Sequence, residues 1–323
     1  MTKLNKMVLA LTASGLIGAG LPVVAQADVM ASAVVKLTGF TIQSGGVTLD
    51  RASFAALTYT STGGVAGTLP GTPNYNISSS ATPVDIATQC VGNGCAAFTT
   101  AYGPNNSFTE LAPPPGGNYS AADQYEAGAP ITGLVGFSAP ADIMNGSYAG
   151  LTDQTALSHS TSTNNLNSSF VFQTVQAIGN IHLVFNLDAY LDVFVTNDEA
   201  FPGFATAAFG QSFTLTDLGV GGTATPVPLW SSGEIIPALF AGFNTISLNA
   251  PVPVNQRITK DLAGPEAFDL LVPVAFDPTH LYQLSARTTA NADAQRVSVP
   301  EPATVALLGL GLLGLGFSRR RLA

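Results

Sequence analysis

The chain contains two cysteines, which lie close together in the sequence. Cys90 and Cys95 enclose the sequence Val-Gly-Asn-Gly, and the two glycines allow so short a loop to close. Thiol catalysis or zinc binding needs further cysteine or histidine side chains, and none lies within about sixty residues on either side. We therefore predict a structural disulfide between Cys90 and Cys95 that holds a local turn.

The three histidines are scattered along the chain without the spacing of metal ligands. They are His159, His182 and His280. The Gly-x-Ser-x-Gly turn that carries the nucleophile of many serine hydrolases is absent from the sequence. Because spacing distinguishes no serine, acid or base, we predict no catalytic residue.

Oxygen-bearing side chains share one face of a predicted strand. Asn186, Asp188 and Asp192 lie on that face, and Asp198 and Glu199 follow in the next turn. Such oxygens suit a calcium ion, although their spacing fits no standard calcium loop. We interpret the face as solvated, with a calcium site as the alternative, and predict no other cofactor.

Six aromatic side chains in polar surroundings have the chemistry to stack on sugar rings. Amphipathic rings of this kind more often anchor loops, and we favour that interpretation. The six residues are Tyr59, Tyr75, Tyr102, Tyr119, Tyr125 and Trp230.

The charge distribution excludes nucleic acid as a partner. The chain of 323 residues has a formal charge of -9, and only 10% of its residues are charged. No lysine or arginine occurs between Arg51 and Arg257, a stretch that contains twelve carboxylates. A polyanion would meet repulsion there instead of the counterion release that drives nucleic-acid binding. Neutral glycans and divalent cations remain compatible with this charge.

Apolar and polar residues alternate with a period of two over residues 181–196, which predicts a long antiparallel strand packed on one side. Residues 164–180 precede it as a second strand that ends in a Gly179-Asn180 turn. Further short strands are separated by Gly, Pro and Asn, which is typical of an all-β antiparallel sandwich or jelly roll. These strands are Val34–Ile42, Val47–Leu49, Phe54–Thr60, Ser212–Leu218, Thr245–Leu248, Phe268–Val274 and Leu281–Thr289.

A single β-rich domain over residues 28–296 is the simplest organisation, since no internal repeat is present. Residues 63–130 are rich in Gly, Pro, Ser, Thr and Asn, so we predict a long irregular insertion there instead of a continuous sheet. Ser138–Met144 and Pro237–Gly242 are each predicted to form a turn of helix.

The N-terminus has the features of a secretory signal peptide over residues 1–27. Lys3 and Lys6 precede an apolar run, and Ala25-Gln26-Ala27 supplies the small residues of a cleavage site. Glycines and a proline interrupt the run, which favours a signal peptide over a membrane-spanning helix. Export would place the two cysteines in an oxidising compartment, where a disulfide forms readily.

Three elements follow one another at the C-terminus. Pro300-Glu301-Pro302 precedes an apolar run over residues 305–317, and Arg319-Arg320-Arg321 comes after it. A helix over residues 303–317 would measure about 22 Å, which is short for a bilayer core of about 30 Å. The arginines fix its cytoplasmic end and leave Pro-Glu-Pro at the outer face of the membrane.

This tail, residues 297–323, resembles the PEP-CTERM sorting signal of Gram-negative bacteria. The resemblance implies processing by an exosortase, a membrane transpeptidase of bacteria that also make exopolysaccharide. It implies that Pro300, Glu301 and Pro302 form the recognition element and that the segment beyond them is removed. Delivery to the cell envelope, outer surface or medium would follow a transient contact with the inner membrane.

These features predict a non-enzymatic structural or interaction protein of the cell surface or extracellular matrix. An exosortase is its expected processing partner, and exopolysaccharide is the expected material around it. A secreted hydrolase that acts on this polysaccharide is the alternative.

Overall fold

A computed structural model describes residues 28–110, 116–152, 159–196, 203–222, 225–235, 245–249, 256–262 and 264–296. Within these ranges the chain forms fifteen strands, one α-helix (α1, Cys95–Tyr102) and a 3-10 helix at Arg51–Ser53. The strands are β1 Val29–Ser44, β2 Val47–Thr48, β3 Phe54–Thr68, β4 Tyr75–Ser79, β5 Asp85–Val91, β6 Tyr119–Ala127, β7 Ala141–Leu151, β8 His159–Thr174, β9 Ile181–Val195, β10 Gly203–Val220, β11 Val227–Glu234, β12 Thr245–Asn249, β13 Gln256–Asp261, β14 Glu266–Val272 and β15 His280–Arg296.

The strands form two antiparallel sheets that pack face to face, which confirms the predicted all-β sandwich. The first sheet has the order β13-β9-β1-β7-β6-β5, with β14 also paired to β9 and β2 to β1. The second sheet has the order β11-β10-β15-β8-β3-β4, with β12 also paired to β10. The four consecutive strands β7, β8, β9 and β10 alternate between the two layers, since β7 and β9 belong to the first sheet and β8 and β10 to the second.

The long strand predicted over residues 181–196 is present as β9. Its odd-numbered residues, among them Leu183, Phe185 and Leu187, are buried between the sheets. The aromatic centre of the core brings Phe40, Phe185 and Phe213 together from three strands, with ring centroids 5.3 to 6.3 Å apart. Period-two alternation therefore identified the strand that carries much of the core.

Another part of the interior is polar, and side chains there reach the backbone of the opposite sheet. Three residues of β8 donate hydrogen bonds of 2.6 Å to carbonyl oxygens of β6. Each donor lies 41 residues after its acceptor, so the two strands are aligned across the layers. The pairs are Ser160 to Tyr119, Ser162 to Ala121 and Asn164 to Asp123.

The same arrangement joins β7 to β15. The Asn145 side chain donates to the carbonyl of Thr288 at 3.0 Å, and the Ser147 hydroxyl donates to that of Ala290 at 2.9 Å. The layers lie close together here, since a Cβ atom at Gly63 would collide with the Gln124 side chain. These contacts satisfy polar groups that would otherwise lose their hydrogen bonds on burial.

The prediction of an irregular insertion over residues 63–130 was wrong for much of that region. It contains the end of β3, the strands β4, β5 and β6, and helix α1. Every proline of the region whose position is described lies between these elements, so none interrupts a ladder. The strand β6 lacked a periodic signal because both of its faces are buried, and its inward face is polar.

Two further differences concern local structure. Ser138–Met144 was predicted as a turn of helix, but Ala141 onward forms β7, which pairs with β1 on one side and β6 on the other. Strand β8 begins at His159 instead of residue 164 and ends at Thr174. The predicted helical turn at Pro237–Gly242 lies outside the described residues. The other predicted strands are confirmed, most of them longer than expected.

Candidate functional site

The outer face of the second sheet is broad, polar and open to solvent. Alternate residues of β3, β8, β10 and β15 point away from the core, and most carry a hydroxyl or an amide. Exposed or half-buried members of this set are Thr58, Thr60, Thr62, Thr163, Asn165, Asn167, Ser212, Thr214, Ser285, Thr289 and Asn291. We call this set, together with Arg287, the polar face.

Cross-strand register aligns the polar face in rows. One row runs through Thr62, Asn167, Arg287 and Ser212 on four adjacent strands. Neighbouring strands lie about 4.8 Å apart and successive rows about 7 Å apart, so hydrogen-bonding groups recur at a regular spacing. An extended polar polymer could therefore form many hydrogen bonds to this face at once.

The sequence of β15 shows why this face is polar. Inward-pointing Ala290, Ala292 and Ala294 are buried, while Thr289 and Asn291 alternate with them on the outside. Alanine is a weak apolar signal, so the strand was predicted to end at Thr289 although it continues to Arg296. The alternation of alanine with Thr, Asn and Asp was the available signal for this surface.

The outer face of the first sheet is covered over β1, β6 and β7 and over part of β9. Met30, Val34, Tyr119, Tyr148 and Tyr190 point outward from that sheet, yet all are buried. Helix α1 lies over them and contributes Phe98 and Tyr102, and the segment after it contributes Phe108. We call these eight residues the covered cluster.

Phe98 is the centre of the covered cluster. It is fully buried, and its ring lies 5.1 to 5.3 Å from the rings of Tyr102, Tyr119 and Tyr148. Burial raises the pKa of the Tyr102, Tyr119 and Tyr148 hydroxyls, because the phenolate would lose its hydration. These rings therefore stabilise the covering segment and are not available to a ligand.

A disulfide and a buried carboxylate hold this covering segment in place. The predicted disulfide between Cys90 and Cys95 is present, and it links the end of β5 to the start of α1. At the other end of the helix, the Asp123 carboxylate accepts from the Tyr102 hydroxyl at 2.6 Å and from the Asn106 backbone N–H at 2.8 Å. Burial raises the pKa of Asp123, and these hydrogen bonds partly offset that effect.

Most of the six aromatic residues considered for sugar stacking pack against other parts of the protein, in agreement with the favoured interpretation that they anchor the chain. Tyr75, Tyr102 and Tyr119 are buried, and Tyr59 stacks on Phe170 with ring centroids 4.1 Å apart. Tyr125 and Trp230 are half-buried. The alternative that these three buried rings stack on sugars is therefore wrong, because a ligand cannot reach them.

Two of the residues considered for calcium, Asp188 and Asp192, have other partners, and Asp198 and Glu199 lie outside the described residues. Asp192 is buried and accepts hydrogen bonds from Arg257 at 2.6 and 2.9 Å, and Asp188 pairs with Lys36 at 3.5 Å. Asn186 is exposed beside them on β9. The described part of the chain has no group of three His, Cys, Asp or Glu side chains arranged to hold a metal. The structure therefore gives the calcium alternative no support within these residues.

Each histidine contacts an aspartate on a neighbouring strand. His159 contacts Asp293 at 2.9 Å, His182 contacts Asp269 at 2.6 Å, and His280 contacts Asp217 at 2.8 Å. These surface pairs connect β8 with β15, β9 with β14, and β10 with β15. The contacts account for all three histidines as strand-to-strand links.

The residues of the two terminal signals lie outside the described part of the chain. They are Ala25 and Ala27 at the predicted cleavage site, Pro300, Glu301 and Pro302 of the predicted recognition element, and the cluster Arg319, Arg320 and Arg321. Among the described residues, no helix has the length and apolar character needed to cross a membrane.

The family model of the PEP-CTERM protein-sorting motif matches residues 298–321. The chain carries a PEP-CTERM sorting signal. This signal implies export to the cell envelope or surface and processing by an exosortase. No curated protein sequence matches the chain significantly. The motif thus indicates where the protein is delivered. Its role there has to be inferred from the surfaces of the β-sandwich.

Proposed function

We propose that this exported protein is a non-enzymatic component of the extracellular matrix whose polar face binds exopolysaccharide. The observation that carries the proposal is the contrast between the two outer faces of the sandwich. An apolar outer face is covered by the protein's own chain, whereas the polar face stays open over four adjacent strands. Hydroxyl and amide groups in register match the hydroxyl groups of a polysaccharide.

The charge of the polar face supports a glycan over a highly charged polymer. Most of its side chains are uncharged, and at one end Asp293 is paired with His159. Many separate hydrogen bonds of modest strength favour a long, repetitive ligand over a small one, because each contributes only about 1 kcal/mol net. Multiple contacts along one chain raise the overall affinity without a deep pocket.

The sorting signal supports delivery of the protein to the cell surface, where it would contact the polysaccharide. A short apolar segment after Pro302 would hold the chain transiently in the inner membrane until an exosortase acts. Intact mass of the protein from cells with and without the exosortase tests this step. We expect a C-terminus near Pro302 only when the enzyme is present. A full-length tail in both strains would contradict the proposed processing.

Binding is tested with protein purified from its own cells and polysaccharide recovered from the same cells. Thr60→Glu with Thr163→Glu alters the polar face, and Thr99→Glu with Thr100→Glu makes the same charge change on exposed residues of α1. We expect the first double variant to bind at least tenfold more weakly than the wild type, and the second to bind as the wild type does. Equal binding by both variants, or no binding by the wild type, would contradict the proposal.

The same mixtures distinguish the hydrolase alternative. A binding protein leaves the polysaccharide intact, whereas a hydrolase releases new reducing ends over time. We expect no increase in reducing ends above a sample without protein. A steady increase that depends on protein concentration would favour the hydrolase instead.

A further inference from the structure

The polar face contains one arginine near its centre. Arg287 on β15 is exposed and lies between Asn167 of β8 and Ser212 of β10 in the register of the sheet. No described residue forms an ion pair or a side-chain hydrogen bond with Arg287, whereas the guanidinium of Arg257 on the other sheet is held by Asp192. Among the described residues, the guanidinium donors of Arg287 therefore have no side-chain partner.

A cleft of about 400 Å³ surrounds this arginine. Its lining consists of polar side chains: Asn165, Asn167, Ser212, Thr214, Ser285 and Arg287. The volume lies within the range of roughly 300 to 1,000 Å³ that is usual for small-ligand sites, but the usual apolar lining is missing. This chemistry favours a hydroxylated ligand with a negative charge over an apolar one.

We propose that the cleft around Arg287 binds the carboxylate of an acidic sugar within the polysaccharide. The guanidinium group offers a planar pair of N–H donors that matches a carboxylate, and such charge-assisted contacts are about twice as strong as neutral ones. The amides of Asn165 and Asn167 and the neighbouring hydroxyls both donate and accept, so they suit the hydroxyl groups of the same sugar. This inference rests on the proposed function and adds the class of sugar that the face selects.

The acidic character of the whole protein does not oppose this local contact. Asp293 lies six residues further along the same strand, about 20 Å away in an extended chain, and is paired with His159. Exposed charges beyond a screening length of about 8 Å interact little at physiological salt. A carboxylate on the polysaccharide can therefore contact Arg287 without close repulsion from the acidic residues of the protein.

The test uses polysaccharide from the producing cells in two forms, native and with its carboxyl groups chemically reduced to alcohols. The proteins are the wild type, Arg287→Gln and Lys36→Gln, all purified from cells. Lys36→Gln removes one positive charge from the other sheet and controls for net charge. Because Arg287 is exposed, its substitution leaves the core unchanged, which a matching melting temperature verifies.

We expect the wild type and Lys36→Gln to bind native polysaccharide about tenfold more tightly than the reduced form, the scale of one hydrogen bond to a charged group. Arg287→Gln should bind both forms equally, at the level of the reduced form. Equal binding of both forms by the wild type would overturn the inference and leave the proposed function intact. A native polysaccharide without acidic sugars would do the same. Failure of the wild type to bind either form would contradict the proposed function as well.

Discussion

The outer faces of the two sheets differ in what covers them, although both sheets share the same strand periodicity. Apolar and aromatic residues point outward from β1, β6, β7 and β9, and helix α1 with its following segment buries them. Threonine, serine and asparagine point outward from β3, β8, β10 and β15 and stay in contact with solvent. The type of residue on the outer side therefore decides whether the chain must cover a face or leaves it available to a partner.

The largest change in the free energy of unfolding is expected at the centre of the covered cluster. Phe98→Ala should lower the free energy of unfolding by about 3 to 5 kcal/mol, because it leaves a cavity among packed rings. Thr163→Ala on the polar face should change it by less than about 0.5 kcal/mol, since this residue is exposed. Denaturant unfolding of both variants measures the difference, and equal effects would show that α1 is not a structural cover.

A second contrast compares an arginine from each sheet. Arg257→Gln leaves the buried Asp192 without its guanidinium partner and should cost about 2 to 3 kcal/mol at neutral pH. Arg287→Gln leaves no buried charge behind and should cost less than about 0.5 kcal/mol.

The pH dependence separates this explanation from a general loss of packing. Burial already raises the pKa of Asp192, and removal of Arg257 should raise it further. A carboxyl whose pKa is higher in the folded state than in the unfolded state favours folding at low pH, and this advantage disappears as pH rises. The deficit of Arg257→Gln should therefore shrink as the pH falls toward 4. A deficit that is independent of pH would contradict the assignment.

The disulfide should have a smaller effect that is confined to the covered side. Cys90→Ser with Cys95→Ser opens a short loop and should cost about 2 kcal/mol. Hydrogen exchange should become faster in β5 and α1, whereas β8 and β15 should keep their protection. Faster exchange throughout both sheets would indicate that the disulfide supports the whole sandwich instead.

The smallest predicted effect concerns the buried carboxylate under the helix. Burial raises the pKa of Asp123 above its ordinary value of 3.8, so the folded protein binds this proton more tightly than the unfolded chain does. The free energy of unfolding should then decrease as pH rises from about 4 through the folded pKa. Asp123→Asn removes this contribution, so the stability of wild type relative to the variant should fall over that interval. Parallel pH profiles for the two proteins would contradict the pKa direction.

The sequence predicted the fold class and the elements with strong alternation. Strand β9 was found from residues such as Leu183 and Phe185, and the cysteine spacing predicted the disulfide. Strand β6 was missed because α1 buries its outer face and its inner face carries polar side chains that form hydrogen bonds to the other sheet, so neither side shows the expected pattern. Burial that depends on another part of the chain leaves little trace in local periodicity.

The candidate site was predictable only in part. The polar face depends on the register of β3, β8, β10 and β15, whose members are far apart in sequence. Individual strands reveal that Thr289 and Asn291 alternate with alanine, but not that Asn167 and Ser212 flank Arg287. The composition indicated that the protein is compatible with glycans. The surface proposed to bind a glycan became visible only once the pairing of the strands was known.

The most direct test of the account is a titration of ¹⁵N-labelled protein with fragments of the polysaccharide, followed through the side-chain amide signals. We expect the signals of Asn165, Asn167 and Asn291 on the polar face to shift. The signals of Asn93 and Asn105, which flank α1 on the covered side, should stay in place. Shifts at Asn93 and Asn105 alone, or no shifts at any of the five, would contradict the assignment of binding to the polar face.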